Sequence, residues 1–155
     1  MSKIKKERYS WAQLTKDCLT LGKKLKSKKF DLIVGISRGG LIPATILSYL
    51  LNIKKICSIG YSYYLRPGVK GKLKLTLPPS SEIKKQRILL IDEKADTGQT
   101  LSAAVKLLKK KKNKITILTL HYEPGSKVKP DYFARQVKNI WIIYPWDESL
   151  KKSSL

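Results

Sequence analysis

The stretch Arg87-Ile88-Leu89-Leu90-Ile91-Asp92-Glu93-Lys94-Ala95-Asp96-Thr97-Gly98-Gln99-Thr100 decides the fold. Its aliphatic, β-branched run, residues 88–91, is bounded by charge on both sides, the pattern of a strand buried on both faces of a parallel sheet. Two adjacent carboxylates follow, Asp92 and Glu93, and a third, Asp96, precedes Thr97-Gly98-Gln99-Thr100. Leu101, Val105 and Leu108 then recur at helical spacing, so the segment predicts a strand, an acidic turn and a helix start. A helix N-terminus offers unpaired N–H groups and the positive end of the dipole. Gly98 lets a ligand approach and Thr97 and Thr100 add hydroxyls, which suits a phosphate monoester. Carboxylates in such a place would repel the phosphate itself; they suit sugar hydroxyls, a metal or a developing positive charge. The combination points to a sugar phosphate. The plain alternative is a strand-turn-helix whose Asp residues only cap the helix.

The rest of the chain sets the frame. Its 155 residues fit one domain with a real core. No apolar run of about 18 residues occurs, so no membrane-spanning helix is expected. The segment Met1-Ser2-Lys3-Ile4-Lys5-Lys6-Glu7 lacks the apolar core of a signal peptide. Cys18 and Cys57 lie in apolar-patterned segments, without a Cys-x-x-Cys or Cys/His pattern, and read as buried thiols of a cytoplasmic protein. The formal net charge of +22 favours anionic partners. Most of it is lysine spread along the chain, as expected of a solvated surface, and nucleic-acid binding is the open alternative.

Ser10 and Gln13 form a capping-box pattern before an amphipathic helix over about residues 10–26, with Trp11, Leu14, Cys18, Leu21 and Leu25 on one face. Residues 31–36 predict a second buried strand that runs into Ser37-Arg38-Gly39-Gly40 and an apolar helix over residues 41–51. Glycines at a helix start beside a guanidinium suit a second anion. A strand over residues 55–61 leads to the basic Gly/Pro loop 65–72, which holds Arg66 and Lys70, and a returning strand over residues 73–77. This loop is either a hairpin tip or a lid that excludes water from the site. Strands are also expected over residues 114–120 and 141–144. The lone histidine, His121, has no partner pattern for metal or catalysis and reads as structural.

Residues 88–100 resemble the phosphoribosyl diphosphate (PRPP) motif of type I phosphoribosyltransferases: an aliphatic run, two acidic residues, two variable ones, then Asp-Thr-Gly-x-Thr. Ser37-Arg38-Gly39-Gly40, the Pro124-Gly125 turn with Pro130-Asp131-Tyr132, and Trp141-Ile142-Ile143-Tyr144-Pro145-Trp146-Asp147 resemble the xanthine–guanine subgroup and its archaeal-like relatives, over about residues 30–148. The resemblance implies an α/β fold: a central, mainly parallel sheet flanked by helices, with a flexible loop over the active site. It implies a single domain over residues 1–155, associating as a homodimer or higher homo-oligomer. The reaction implied is purine base plus PRPP giving nucleoside monophosphate and pyrophosphate with Mg²⁺, in purine salvage. Asp92 and Glu93 would hold the ribose hydroxyls, stabilise a ribosyl cation and weakly bind the metal, partly through water; Asp96 would be the general acid/base. Residues Ala95, Asp96, Thr97, Gly98, Gln99 and Thr100 would bind the 5′-phosphate. Ser37, Arg38, Gly39 and Gly40 would bind pyrophosphate, with Arg66 or Lys70 closing over it and the Ser37–Arg38 peptide expected to be cis. Trp141 would stack on the purine, Ile142 would read its edge through the backbone, and Asp147 would hold the base or a metal-bound water.

One position departs from that pattern. The 6-oxopurine enzymes carry a lysine before the turn proline, donating to the purine O6; here it is Glu123. An ionised carboxylate cannot donate and favours an amino group, so Glu123 predicts adenine as the base and AMP as product. The alternatives are a 6-oxopurine enzyme, with Lys127 or Lys129 as donor, and a regulator that keeps the fold and binds RNA or DNA.

Overall fold

The computed structural model describes residues 5–66, 69–80 and 83–147. The elements in chain order are β1 (Lys5–Arg8), α1 (Trp11–Leu25), β2 (Leu32–Ser37), α2 (Leu41–Leu50), β3 (Ile56–Arg66), β4 (Val69–Leu77), β5 (Arg87–Ala95), α3 (Gln99–Lys109), β6 (Lys114–Tyr122), β7 (Tyr132–Gln136) and β8 (Ile140–Ile143). Six strands form one sheet in the order β4-β3-β2-β5-β6-β7. Only the β3–β4 pair is antiparallel. β1 and β8 make a separate parallel pair.

The alternation of apolar residues along the central strands sorts the core into two layers. Ile33, Leu89 and Ile91 pack with Leu47 of α2 and Leu21 and Leu25 of α1 on one face. Val34, Ile88 and Leu90 pack with Leu101, Ala104 and Leu108 of α3 on the other. Burying each such aliphatic side chain contributes roughly 1.5–3 kcal/mol. A third cluster, with Tyr9, Leu14, Cys18, Leu120, Val137, Ile142 and Tyr144, binds the β1–β8 pair to α1 and β6.

β2 and β5 are neighbours, yet the chain leaves them in opposite directions. After β2 it crosses through α2 to β3, and after β5 it crosses through α3 to β6. Such divergence opens a crevice at the carboxyl ends of the two strands.

Several expectations change. β5 extends through Asp92, Glu93 and Lys94 to Ala95, which pairs with Tyr122 of β6, so the acidic pair lies on a strand rather than in a turn. β3 and β4 are longer than expected and replace most of the loop 65–72 by a hairpin. Pro67 and Gly68, and with them the lid and the closing side chains of Arg66 and Lys70, lie outside the described residues. β1 and β7 were not expected. The capping box of Ser10 and Gln13 is formed, but Trp11 stands 51% exposed near Trp146 instead of joining the core face.

Asn113 locks the return from α3 to the sheet. Buried, it donates from Nδ2 to the carbonyls of Ile83 (3.2 Å) and Leu108 (2.9 Å), and its Oδ1 accepts the Gln86 N–H (2.8 Å). Asn113→Ala orphans those three backbone groups. It is expected to lower the unfolding free energy by about 2–4 kcal/mol in urea titrations; a loss below about 1 kcal/mol would contradict this role.

Candidate active site

The crevice between β2 and β5 is closed by contact between their two turns. A Cβ on Gly39 would overlap the Glu93 carboxyl group, so glycine there is what lets the acidic side chain lie against the turn. The Ser37–Arg38 peptide is cis, as expected. The turn delivers a cleft of about 460 Å³ lined by Arg38, Gly39, Glu93, Trp146 and Asp147 among others. A larger basic groove of about 560 Å³, beside Lys28, Lys29, Arg87 and Lys114, lies at the opposite, amino-terminal ends of β5 and β6. Arg87 there is already paired with Asp31 at 2.6 Å, and that guanidinium holds the Asp31 carboxyl well below the usual carboxylate range.

The second turn shows why it reads Asp-Thr-Gly. Gly98 has φ of 78°, and a Cβ there would lie 2.5 Å from Ser126 Oγ and 2.8 Å from the Lys127 and Val128 nitrogens. The backbone is left-handed and the segment after β6 presses on it; only glycine meets both conditions. Lys127 N–H donates to the Thr97 carbonyl (3.0 Å), and Glu123 N–H to that of Ala95 (2.9 Å). Gly98 at the N-cap has no side chain to cap α3, and only the Gln99 N–H has a side-chain partner, Thr97 Oγ1 at a long 3.4 Å, so the first turn keeps N–H groups for an anion. Gln99 Oε1 accepts the Tyr63 hydroxyl proton at 2.6 Å, tying the β3–β4 hairpin to this turn.

The two acidic neighbours differ. Asp92 is buried, and its Oδ1 accepts the Glu93 N–H at 2.9 Å. Burial, and then the charge of Glu93, push its carboxyl well above the ordinary value. Glu93 lines the cleft. Asp92 thus holds the backbone that carries Glu93. Among the described residues no three His, Cys, Asp or Glu side chains converge as a cation cage.

Behind the acidic strand sits a buried polar relay that sequence reading missed. Tyr144 O–H donates to the Glu93 carbonyl at 3.1 Å, so the Tyr144 oxygen must accept from His121 Nδ1–H at 2.9 Å. Tyr9 packs edge-on against His121 at 4.7 Å and donates to Asp17, which Arg135 also holds at 2.7 Å. His121 is structural, as expected.

Two of the residues expected to bind the base, Trp141 and Ile142, lie on β8. Trp141 is 63% exposed, so it is no core aromatic, whereas the Ile142 side chain is buried and leaves only its backbone for a ligand. Glu123 is oriented by the backbone: its two carboxylate oxygens share the Asn139 N–H, at 3.0 and 3.1 Å. Lys94, a variable position of the motif, reaches into the same area, with Nζ 3.1 Å from Asp96 and 3.2 Å from the Ile140 carbonyl. Nothing in the sequence marked it, because its direction depends on β5 running past residue 91.

With this geometry in place the likeness to known proteins can be weighed. The phosphoribosyl transferase domain family matches residues 10–153. The chain belongs to the phosphoribosyltransferase family. The xanthine-guanine phosphoribosyltransferase of Gluconobacter oxydans is 32% identical over 142 residues, covering 89% of this chain and 82% of that protein. The purine phosphoribosyltransferase of Pyrococcus horikoshii superposes with a TM-score of 0.84 at 34% identity, over 92% of this chain and 95% of that one. The xanthine-guanine-hypoxanthine enzyme of Helicobacter pylori gives 0.78 at 25% identity, over 97% of each. The fold is the type I phosphoribosyltransferase fold, and the protein is an enzyme, a pentosyltransferase of the purine group.

His121 supplies a pH test of the relay. Burial, and then the charge of Arg135, hold its pKa down at about 4, against 6.5 in an unfolded chain. Between these values the unfolded chain binds a proton that the folded one refuses. The contribution is full above pH 6.5 and is lost as the pH falls toward 4, amounting to about 3 kcal/mol. His121→Gln is expected to flatten the pH dependence of the urea unfolding free energy across that window by a similar amount; parallel profiles would refute it.

Proposed function

We propose that the enzyme transfers the 5-phosphoribosyl group of PRPP to a 6-oxopurine such as guanine, xanthine or hypoxanthine. The observation that carries this is the likeness to purine phosphoribosyltransferases over nearly the whole chain; Glu123, which argued for adenine, is oriented by the Asn139 N–H shared between its two oxygens. The names of the relatives, xanthine-guanine and xanthine-guanine-hypoxanthine phosphoribosyltransferases, support the same choice. The adenine preference expected from Glu123 alone is set aside.

In the reaction the bond from ribose C1′ to the pyrophosphate oxygen breaks, with the electron pair leaving on pyrophosphate. A bond from C1′ to purine N9 forms, and the base gives up one imidazole proton. The uncapped start of α3, with Thr97, Gly98, Gln99 and Thr100, takes the 5′-phosphate. Ser37, Arg38, Gly39 and Gly40 take pyrophosphate, and the guanidinium neutralises charge that grows on it. Glu93, at the crevice between these two anion sites, faces the ribose and offsets the positive charge developing at C1′, while Asp92 fixes the backbone that carries it. Asp96, 64% exposed beside Lys94, accepts the imidazole proton. Trp141 provides the stacking face. Two carboxylates on the cleft, Glu93 and Asp147, fit a Mg²⁺ that keeps most of its shell as water and pyrophosphate oxygens. When bound, that ion neutralises the diphosphate.

Purified protein is expected to form nucleoside monophosphate and pyrophosphate from PRPP, Mg²⁺ and guanine or hypoxanthine, with adenine at least about tenfold slower. Asp96→Asn is expected to lower kcat by about 10²–10⁴. Turnover of adenine alone, or of no base, would overturn the reading.

A further inference from the structure

We propose that Lys94 selects the base: its ammonium reads the exocyclic oxygen of a 6-oxopurine laid on Trp141. This rests on the function proposed above and assigns the specificity to a residue outside the turn where the resembled enzymes carry their lysine.

The Lys94 side chain is only 17% exposed, on a strand that ends at the site. Its Nζ donates to the Ile140 carbonyl (3.2 Å), and Ile140 is the residue immediately before the exposed Trp141. On its other side lies Asp96, at 3.1 Å. Glu123 Oε2 stands 3.9 Å away, an ion pair beyond hydrogen-bond length. An ammonium has three N–H donors and no acceptor. Two are directed to Ile140 and Asp96, and the third has only the distant Glu123 carboxylate. A lysine so placed, between the stacking platform and the proton acceptor, is completed by an acceptor on the base. A keto oxygen provides one; an exocyclic amino group would set N–H against N–H. Glu123, held by the Asn139 N–H, stands 3.9 Å from the ammonium as a counter-charge. Donor and carboxylate have thus exchanged places, with the cation on β5 and the anion before Pro124.

The test compares the parent, Lys94→Met and the double exchange Lys94→Glu with Glu123→Lys. It measures kcat/KM for guanine and for adenine, equilibrium binding of GMP and AMP, and binding of PRPP. Lys94→Met is expected to lose about 10- to 100-fold on guanine and on GMP, the worth of one charged hydrogen bond, with no comparable loss on adenine or AMP and PRPP affinity within about twofold. The double exchange is expected to recover the greater part of the guanine preference. A parent active on guanine whose Lys94→Met variant keeps the guanine-to-adenine and GMP-to-AMP ratios would overturn the assignment alone. A parent that makes no nucleotide from any 6-oxopurine would overturn the function it rests on. The GMP and AMP titrations read the role of Lys94 in either case, and a double exchange that folds but stays indifferent to the base counts against it.

Discussion

The contact of Gly39 with the Glu93 carboxyl group is the constraint on which the site depends. Two neighbouring parallel strands send their chains apart, and the gap this leaves would stay open if either turn were bulkier. With no side chain at Gly39, the anion-binding turn and the acidic strand touch. In the proposed function the phosphate donors of one helix start and the diphosphate donors of another then lie about that carboxylate. The two core layers matter to function because they hold β2 and β5 in register, Val34 opposite Leu90 and Gly35 opposite Ile91.

Charge acts on two scales. The chain carries a net +22, which draws polyanions toward the whole surface. Yet five of its 11 acidic residues, Asp92, Glu93, Asp96, Glu123 and Asp147, collect about the carboxyl end of β5. The general surplus of lysine is spread over the chain, whereas these few carboxylates and their partners, Lys94 among them, are local to the cleft. Glu123 is tied to a backbone amide, Asp92 is buried with its carboxyl pushed above the ordinary value, Asp96 is paired with Lys94, and Glu93 lines the cleft.

Much of this was legible from residues alone, and the exceptions have physical causes. The strand, the PRPP motif and its helix share one continuous segment, so local pattern suffices. Ser10 and Gln13 cap a helix three residues apart and are legible for the same reason. Glu123 was misread because its partner, the Asn139 N–H, is 16 residues away and reaches it through a turn in which Asn139 takes a φ of 52°. Lys94 was invisible because pairing with β6 draws the strand past its apolar run as far as Ala95. β1, Lys-Lys-Glu-Arg, has no apolar alternation at all and is a strand only because β8 pairs with it.

That last pairing gives the site a division of labour. The proposed sugar-phosphate residues sit on the six-stranded sheet, whereas Trp141 rides on β8, which among the described residues pairs only with the hydrophilic β1, in register Lys6 to Trp141. The β1–β8 pair is joined to β5 by the Lys94 bond to Ile140 and packed on the rest through Tyr9, Ile142 and Tyr144. Changes there can retune which heterocycle is accepted while leaving the machinery that handles ribose and diphosphate untouched. One phosphoribosyl-transfer core could thus be paired with different bases by drift in a short, poorly patterned strand pair.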